Sequence, residues 1–219
     1  MAKVTPTKPL FIMLYGYPGS GKTHVARELS ETLHAAHLHA DKIRGELFTK
    51  PRFDKEENQI IEHLMLYMTE EFLRAGMSVI FDANVNKLGE RRELRNLARR
   101  AKATALLIWL QIDAESAFAR LNRRDRRKSD DKYATAYDRK SFDAVLASMH
   151  NPREEDYIVI SGKHTYKTQR SAIIKKLYEM GAINIHTTTN NVVKPELVNL
   201  IPNPTAGRVD NSRRNILIR

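Results

Sequence analysis

Six apolar residues in succession, Leu10–Tyr15, form the first clear pattern in the chain, and so short a run bounded by turn residues predicts a strand buried on both faces. Similar runs recur at 36–40, 78–81, 104–112 and 157–160. Between them the period changes to that of a helix. Residues 25–33 read as one helix, and 54–75 as the most regular: Asp54 and Glu57 have capping-box spacing, Ile61, Leu64, Met68 and Phe72 form one apolar face, and Gly76 stops it. Residues 88–102 predict a basic helix with Leu94, Leu97 and Ala101 turned inward. A further helix begins near Ala114; Phe142, Val145, Leu146 and Met149 mark another that Pro152 ends; residues 167–180 make the last, closed by Gly181. Strands alternating with helices imply an α/β fold, a parallel sheet with helices on both faces.

Past Ile185 the periodicity fails, because 187–191 are polar and Pro195, Pro202 and Pro204 forbid long regular elements. The expected division is a domain over 1–186 and a basic C-terminal arm or disordered tail over 187–219. The ending Arg213 to Arg219 mixes charge with alternating apolar residues, so the arm could pair with a sheet edge or a second subunit, and the chain is expected as a monomer or a homodimer through it.

Composition narrows the class. At 219 residues and 42% hydrophobic content the chain supports one α/β domain with a proper core. The absence of Cys excludes a disulfide framework and a thiolate metal site. No run approaches the roughly 18 apolar residues that span a bilayer, so a cytoplasmic protein with no membrane partner is expected. A formal charge of +11 favours anionic partners.

Chemistry enters directly after the first strand. Residues 16–23, Gly16-Tyr17-Pro18-Gly19-Ser20-Gly21-Lys22-Thr23, fit G-x-x-x-x-G-K-[ST], and a helical pattern follows through His24. Glycines let successive N–H groups turn inward around phosphate, Lys22 reaches the β/γ oxygens, and the Thr23 hydroxyl is placed for Mg²⁺. The positive end of the following helix adds to the same anion site. A nucleoside triphosphate is therefore the expected ligand.

In an open α/β sheet, ligands sit beyond the carboxyl ends of the strands, which gives weight to Asp41 after the second strand and Asp82 at the end of the third. Arg44 lies one helical turn from Asp41, pairing a proton acceptor with an anion donor. A helix cap for Asp41 and a turn residue for Asp82 stay open. Arg120, Arg124 and Arg127 fall at i, i+4 and i+7 in an arginine-rich segment and suggest a lid for the transferring phosphoryl group. A nucleic-acid strip or a solvated face would use the same residues.

Together these segments, with VIFDAN at 79–84 and Arg91 and Arg92 behind it, resemble the P-loop kinase group. That group includes polynucleotide 5′-hydroxyl kinases, chloramphenicol phosphotransferase and zeta toxins, and many members are labelled AAA-family ATP-binding proteins. The resemblance covers roughly residues 10–180. It implies a P-loop NTPase fold with five parallel strands in the order 2-3-1-4-5, and Asp41 as the base facing the acceptor hydroxyl. It further implies Arg44 assisting acceptor or phosphate binding, Asp82 supporting the Mg²⁺ or acceptor site, and the arginine lid closing over ATP.

The chain departs from the group at two positions. His39 stands where some related small-molecule kinases have a second carboxylate, which puts more of the metal duty on Thr23 and Asp82, and Ala40 replaces a glycine of the toxin-like members. Of His34, His37 and His39, only His37 and His39 would share a strand face, and with no Cys beside them a structural or surface role is expected. Three functions compete: a kinase for a hydroxyl on a small molecule, a polynucleotide 5′-hydroxyl kinase, and a nucleotide-gated module with slow ATPase activity. The second would draw phosphate contacts from the tail and from Arg91, Arg92, Arg95, Arg99, Arg100 and Lys102. The module needs no acceptor pocket at Asp41 and Arg44, and the chain has no strip of stacking aromatics, so a hydroxyl kinase ranks first and the small acceptor slightly ahead.

Overall fold

The computed structural model describes residues 3–124 and 133–186. In chain order the elements are β1 (Lys3–Pro6), β2 (Leu10–Tyr15), α1 (Lys22–Leu33), β3 (Ala36–His39), α2 (Ala40–Leu47), α3 (Lys55–Arg74), β4 (Val79–Asp82), α4 (Leu88–Arg100), β5 (Thr104–Gln111), α5 (Ala114–Asn122), α6 (Arg139–Ser148), β6 (Tyr157–Ser161), α7 (Tyr166–Glu179) and β7 (Ile183–His186). Five strands pair in the order β3-β4-β2-β5-β6, and every pairing is parallel. This is the expected 2-3-1-4-5 sheet.

β2 lies at its centre because both of its faces are apolar. Leu10, Ile12 and Leu14 enter one core with Val25 and Leu29 of α1 and Ile173 and Leu177 of α7, while Phe11, Met13 and Tyr15 enter a second with Met65 and Leu73 of α3 and Leu94 and Leu97 of α4. Alternation along one strand thus builds both layers. A smaller cluster of Ala117, Leu121 and Phe142 joins α5 to α6. The chain leaves β2 between neighbours β4 and β5 on either side, so its carboxyl end is the topological switch point where such sheets bind ligands.

Three expectations need correction. The buried stripe of α3 is Glu57, Ile61, Met65, Thr69 and Leu73, rotated from the expected one, with Leu64, Met68 and Phe72 only half-buried. A polar Thr69 and Glu57 hid that stripe: Thr69 Oγ1 donates to Met65 O at 2.7 Å, and Glu57 is consumed by neighbours described below. The Asp54 carboxylate does accept from Glu57 N, at 2.9 Å, but Glu57 Oε2 accepts from Arg52 N instead of completing the box. Finally, β1 and β7 pair in a second, two-stranded sheet that no periodicity announced. Each has only four residues, and their joining is non-local, with Thr7 donating from N to Ala182 O and from Oγ1 to Gly181 O, both at 3.0 Å. Among the described residues no helix is long and apolar enough to cross a membrane. Arg127 and the expected arm over 187–219 lie outside the described residues.

Candidate active site

The chain turns from β2 directly into residues 16–23, and α1 begins at Lys22, earlier than the apolar pattern indicated. Lys22, Thr23 and His24 are therefore its first turn, whose N–H groups have no helical partner and face an anion site. Gly21 caps the helix at φ 99, where a side chain is strained, and a Cβ there would meet nothing within 4 Å. Gly19 has the opposite reason for being glycine: its Cβ would fall 2.3 Å from the Ala117 carbonyl oxygen of α5.

Ser20 Oγ is buried without a hydrogen-bond partner among the described residues. Lys22 Nζ donates to the loop carbonyls of Gly16 (2.8 Å) and Tyr17 (3.0 Å). Burial lowers its pKa to about 8, with Asp82 opposing the shift and Arg124 adding to it. An orphaned hydroxyl, unpaired helix N–H groups, an ammonium resting on its own loop and open space before Gly21 fit a triphosphate. Pro18 lines the same cleft, whereas the His24 ring turns aside to Tyr166 (6.2 Å between centroids) and Arg27 (Nδ1 to Nη2, 3.2 Å). Toward the cleft His24 therefore presents its backbone more than its ring.

Parallel pairing of β3 with β4 sets His39 opposite Asp82 and His37 opposite Ile80, so these side chains share a sheet face. His37 Nε2 lies 3.0 Å and His39 Nε2 3.8 Å from the same oxygen, Asp82 Oδ2. Burial acts to raise the Asp82 pKa, but the hydrogen bond with His37, the charges of both histidines and a bond from the Thr23 hydroxyl hold it below the usual carboxylate value. Thr23 and Asp82 thus meet, as their assignment to one metal site requires, and their oxygen donors suit Mg²⁺.

Asp41 lies within the first turn of α2, whose N-cap is His39, so the residue is no helix cap. Its Oδ1 accepts from Thr135 Oγ1 at 3.4 Å, and it faces the cleft with Tyr137 and Asn84. Burial raises the Tyr137 pKa, the Asp41 charge raises it further, and a hydrogen bond with Asn84 opposes them. Arg44 also lines the cleft, yet it is tied sideways to α3: Nη2 donates to Asn58 Oδ1 at 2.8 Å, Nη1 lies 3.3 Å from Glu57 Oε1, and the guanidinium sits 4.5 Å over the Phe53 ring.

The expected arginine face breaks because α5 ends at Asn122, with Arg123 as its C-cap. Arg120, Arg123 and Arg124 all line the cleft, but from a helix, a cap and the residue beyond it. Arg120 Nη1 donates to Gly162 O at 2.9 Å and Arg124 Nη1 to Thr135 O at 3.2 Å. Arg91, grouped by sequence with the basic surface of α4, is instead fully buried against Glu155, with Nη2 to Oε1 at 2.9 Å. Thr135, Tyr137 and Arg123 escaped the sequence reading. Only Arg123 left a signal there, as part of the arginine run.

The cleft has a volume of about 1330 Å³ and runs past Asp41 into a lobe between α3 and α4. Ile61, Met65, Leu94 and Leu97 give this lobe buried apolar walls, while Glu62 and Glu93 are exposed around it and Glu90 is half-buried. One cleft therefore joins an anion-binding loop to an apolar chamber edged with carboxylates.

A phosphate-binding loop at the switch point of a parallel sheet defines a P-loop nucleotide-binding fold. The chain belongs to the AAA domain family, whose model matches residues 11–152, well over half its length. No curated protein matches it in sequence. Among solved structures it is similar to Kti12 of Chaetomium thermophilum in complex with ADP-AlF3, at 17% identity and TM-score 0.61, over 80% of this chain and 99% of that one. It is also similar to a gluconokinase from Sinorhizobium meliloti 1021 (17% identity, TM-score 0.57, 78% and 93% covered). A third is the Mycobacterium tuberculosis APS kinase CysC in complex with AMPPNP and APS (16% identity, TM-score 0.58, 79% and 99% covered). The likeness shows a shared fold.

Proposed function

We propose that the protein is an ATP-dependent kinase that moves the γ-phosphoryl group of ATP to a hydroxyl of a small, uncharged or cationic acceptor. The observation that carries the acceptor class is the lobe beyond Asp41, where apolar walls suit a compact organic body and Glu62, Glu90 and Glu93 outweigh the exposed Arg100 of the same wall, which disfavours a polyanion. Residues 16–23 and the first turn of α1 hold the β/γ-phosphates, with Lys22 as the principal positive charge. Asp41 accepts the proton of the attacking hydroxyl, whose oxygen bonds to the γ-phosphorus as the bond to ADP breaks. Arg44, Arg120 and Arg124 answer the charge on the phosphoryl oxygens. Mg²⁺, held by Thr23 with support from Asp82, would supply neutralisation of phosphate charge.

The test offers labelled ATP with pools of small hydroxyl compounds and with 5′-hydroxyl oligonucleotides, and traces the label. Transfer to a small compound is expected, and Asp41→Asn should cut kcat by about 10² to 10⁴ while ATP affinity stays within a few fold. Unchanged kcat would remove Asp41 as the base. One observation favours a polynucleotide acceptor: Arg92, Arg95, Arg99 and Arg153 gather around a depression of about 490 Å³ on α4. Label found only on oligonucleotides, with binding that weakens by a log–log salt slope of about −0.7 per phosphate, would select that reading.

A further inference from the structure

We propose that His37, His39 and Asp82 form a binding site for a divalent transition-metal ion such as Zn²⁺ or Co²⁺, open on one side toward the nucleotide cleft. The β3–β4 register delivers two imidazoles and one carboxylate to a single face; the rings stack at 5.6 Å with planes 5° apart, so one ring turns when both lone pairs meet one ion. Their donor atoms lie within 4.8 Å of one another, and no other such trio occurs among the described residues. The His37 hydrogen bond to Asp82 has an ordinary structural explanation. His39 converges on the same oxygen at 3.8 Å, beyond hydrogen-bond range but within ion-pair range. Bonds of about 2.0 to 2.2 Å in a tetrahedral site place donor atoms roughly 3.3 Å apart; the two histidine–carboxylate distances, 3.0 and 3.8 Å, bracket that value, and the histidine–histidine separation lies within 4.8 Å.

The donor chemistry selects the ion. Mg²⁺ takes oxygen ligands in strict octahedral geometry, whereas paired imidazoles with a carboxylate suit borderline transition metals. Three protein ligands leave a coordination position for water or a ligand oxygen. His39 and Asp82 both line the cleft, and β3 is an edge strand, so an ion has a route in. Because Asp82 also meets Thr23, a transition metal here and Mg²⁺ at the phosphate loop would draw on one carboxylate.

The test titrates the nucleotide-free wild-type chain with Co²⁺ and reads its visible d–d absorption, with Zn²⁺ displacing it. One Co²⁺ per chain is expected, bound at least about tenfold more weakly by the His37→Gln/His39→Gln double variant with an unchanged melting curve. No band in the wild type, or equal affinity in the folded double variant, would overturn the proposal. Should that variant not fold, X-ray absorption on the wild-type Zn²⁺ complex decides: two imidazole ligands support the site and fewer than two refute it. Binding is read without ATP or turnover, so its failure and failure of the kinase reading are separate results.

Discussion

Two buried arginines, each set against a buried carboxylate, are used in different ways. Arg91 turns its donors inside the protein: Nε donates to Glu155, Nη1 to the carbonyls of Val85 (3.0 Å) and Asn86 (3.2 Å), and Nη2 to His150 O (2.9 Å) while lying 2.9 Å from Glu155 Oε1 as an ion pair. Arg95 adds a second contact to the same carboxylate, and Tyr15 lies 4.9 Å beneath the guanidinium. Nothing is left over for a ligand. Arg44 is also buried, but its Nε has no partner among the described residues, and its partner atom Glu57 Oε1 lacks a hydrogen bond as well. Arg44 itself lines the cleft. Charge and burial are common to both arginines; they differ in unspent hydrogen-bonding capacity, which makes Arg91 a clamp and on the proposed function leaves Arg44 able to meet a ligand.

The largest effect should come from the clamp. Arg91→Lys keeps the charge but strips donors from the carbonyls of Val85, Asn86 and His150 and breaks the fork on Glu155, so it should cost about 3–5 kcal/mol in urea unfolding. A loss below about 1 kcal/mol would show that Lys reaches the same acceptors and would undo the contrast. Arg44→Lys should cost less, about 0.5–1.5 kcal/mol, since Asn58 is exposed and water replaces the lost bond. Its larger effect should fall on kcat/KM for the acceptor, by roughly tenfold or more. Equal stability losses in the two variants would make Arg44 a second clamp.

The same contrast explains what could be read from the sequence. The strands of the main sheet, the phosphate loop and the position of Asp41 and Asp82 at strand ends beside the cleft were legible because each depends on neighbours in the chain: an apolar run, a glycine spacing, a position at or just after a strand end. Arg91 was misjudged because its role is set by Glu155, distant in sequence, and no local pattern distinguishes it from exposed Arg92. The lid face failed for a related reason. Periodicity was carried through Arg124 and Arg127 although α5 stops at Asn122, and in a polar run nothing apolar marks where a helix ends. Tyr137 and Thr135 reach Asp41 from a segment almost a hundred residues away in sequence. The pairing of β1 with β7 joins residues before β2 to residues after α7, far apart in sequence.

The smallest effect concerns the phosphate loop and turns on a proton. Lys22 is held at a pKa of about 8, below its ordinary 10.5, because burial disfavours the ammonium. The folded chain releases this proton before the unfolded chain does, so between about pH 8 and 10.5 the unfolded state binds more protons and the free protein gains stability from this group as pH rises. A bound triphosphate reverses the preference, since negative charge beside Nζ favours the ammonium. Nucleotide binding above pH 8 should therefore take up a proton, and affinity should fall as pH rises through that value. The slope approaches tenfold per pH unit, giving roughly tenfold weaker binding at about pH 9 than at about pH 7.5. Calorimetric titration with a non-hydrolysable ATP analogue, in buffers of different ionisation enthalpy, reads both the affinity and the proton uptake. Lys22→Met should bind more weakly throughout and lose the pH slope, while Arg91→Lys, if still folded, should keep it. A slope shared equally by wild type and Lys22→Met would assign the proton elsewhere and leave the loop lysine fully charged before the nucleotide arrives.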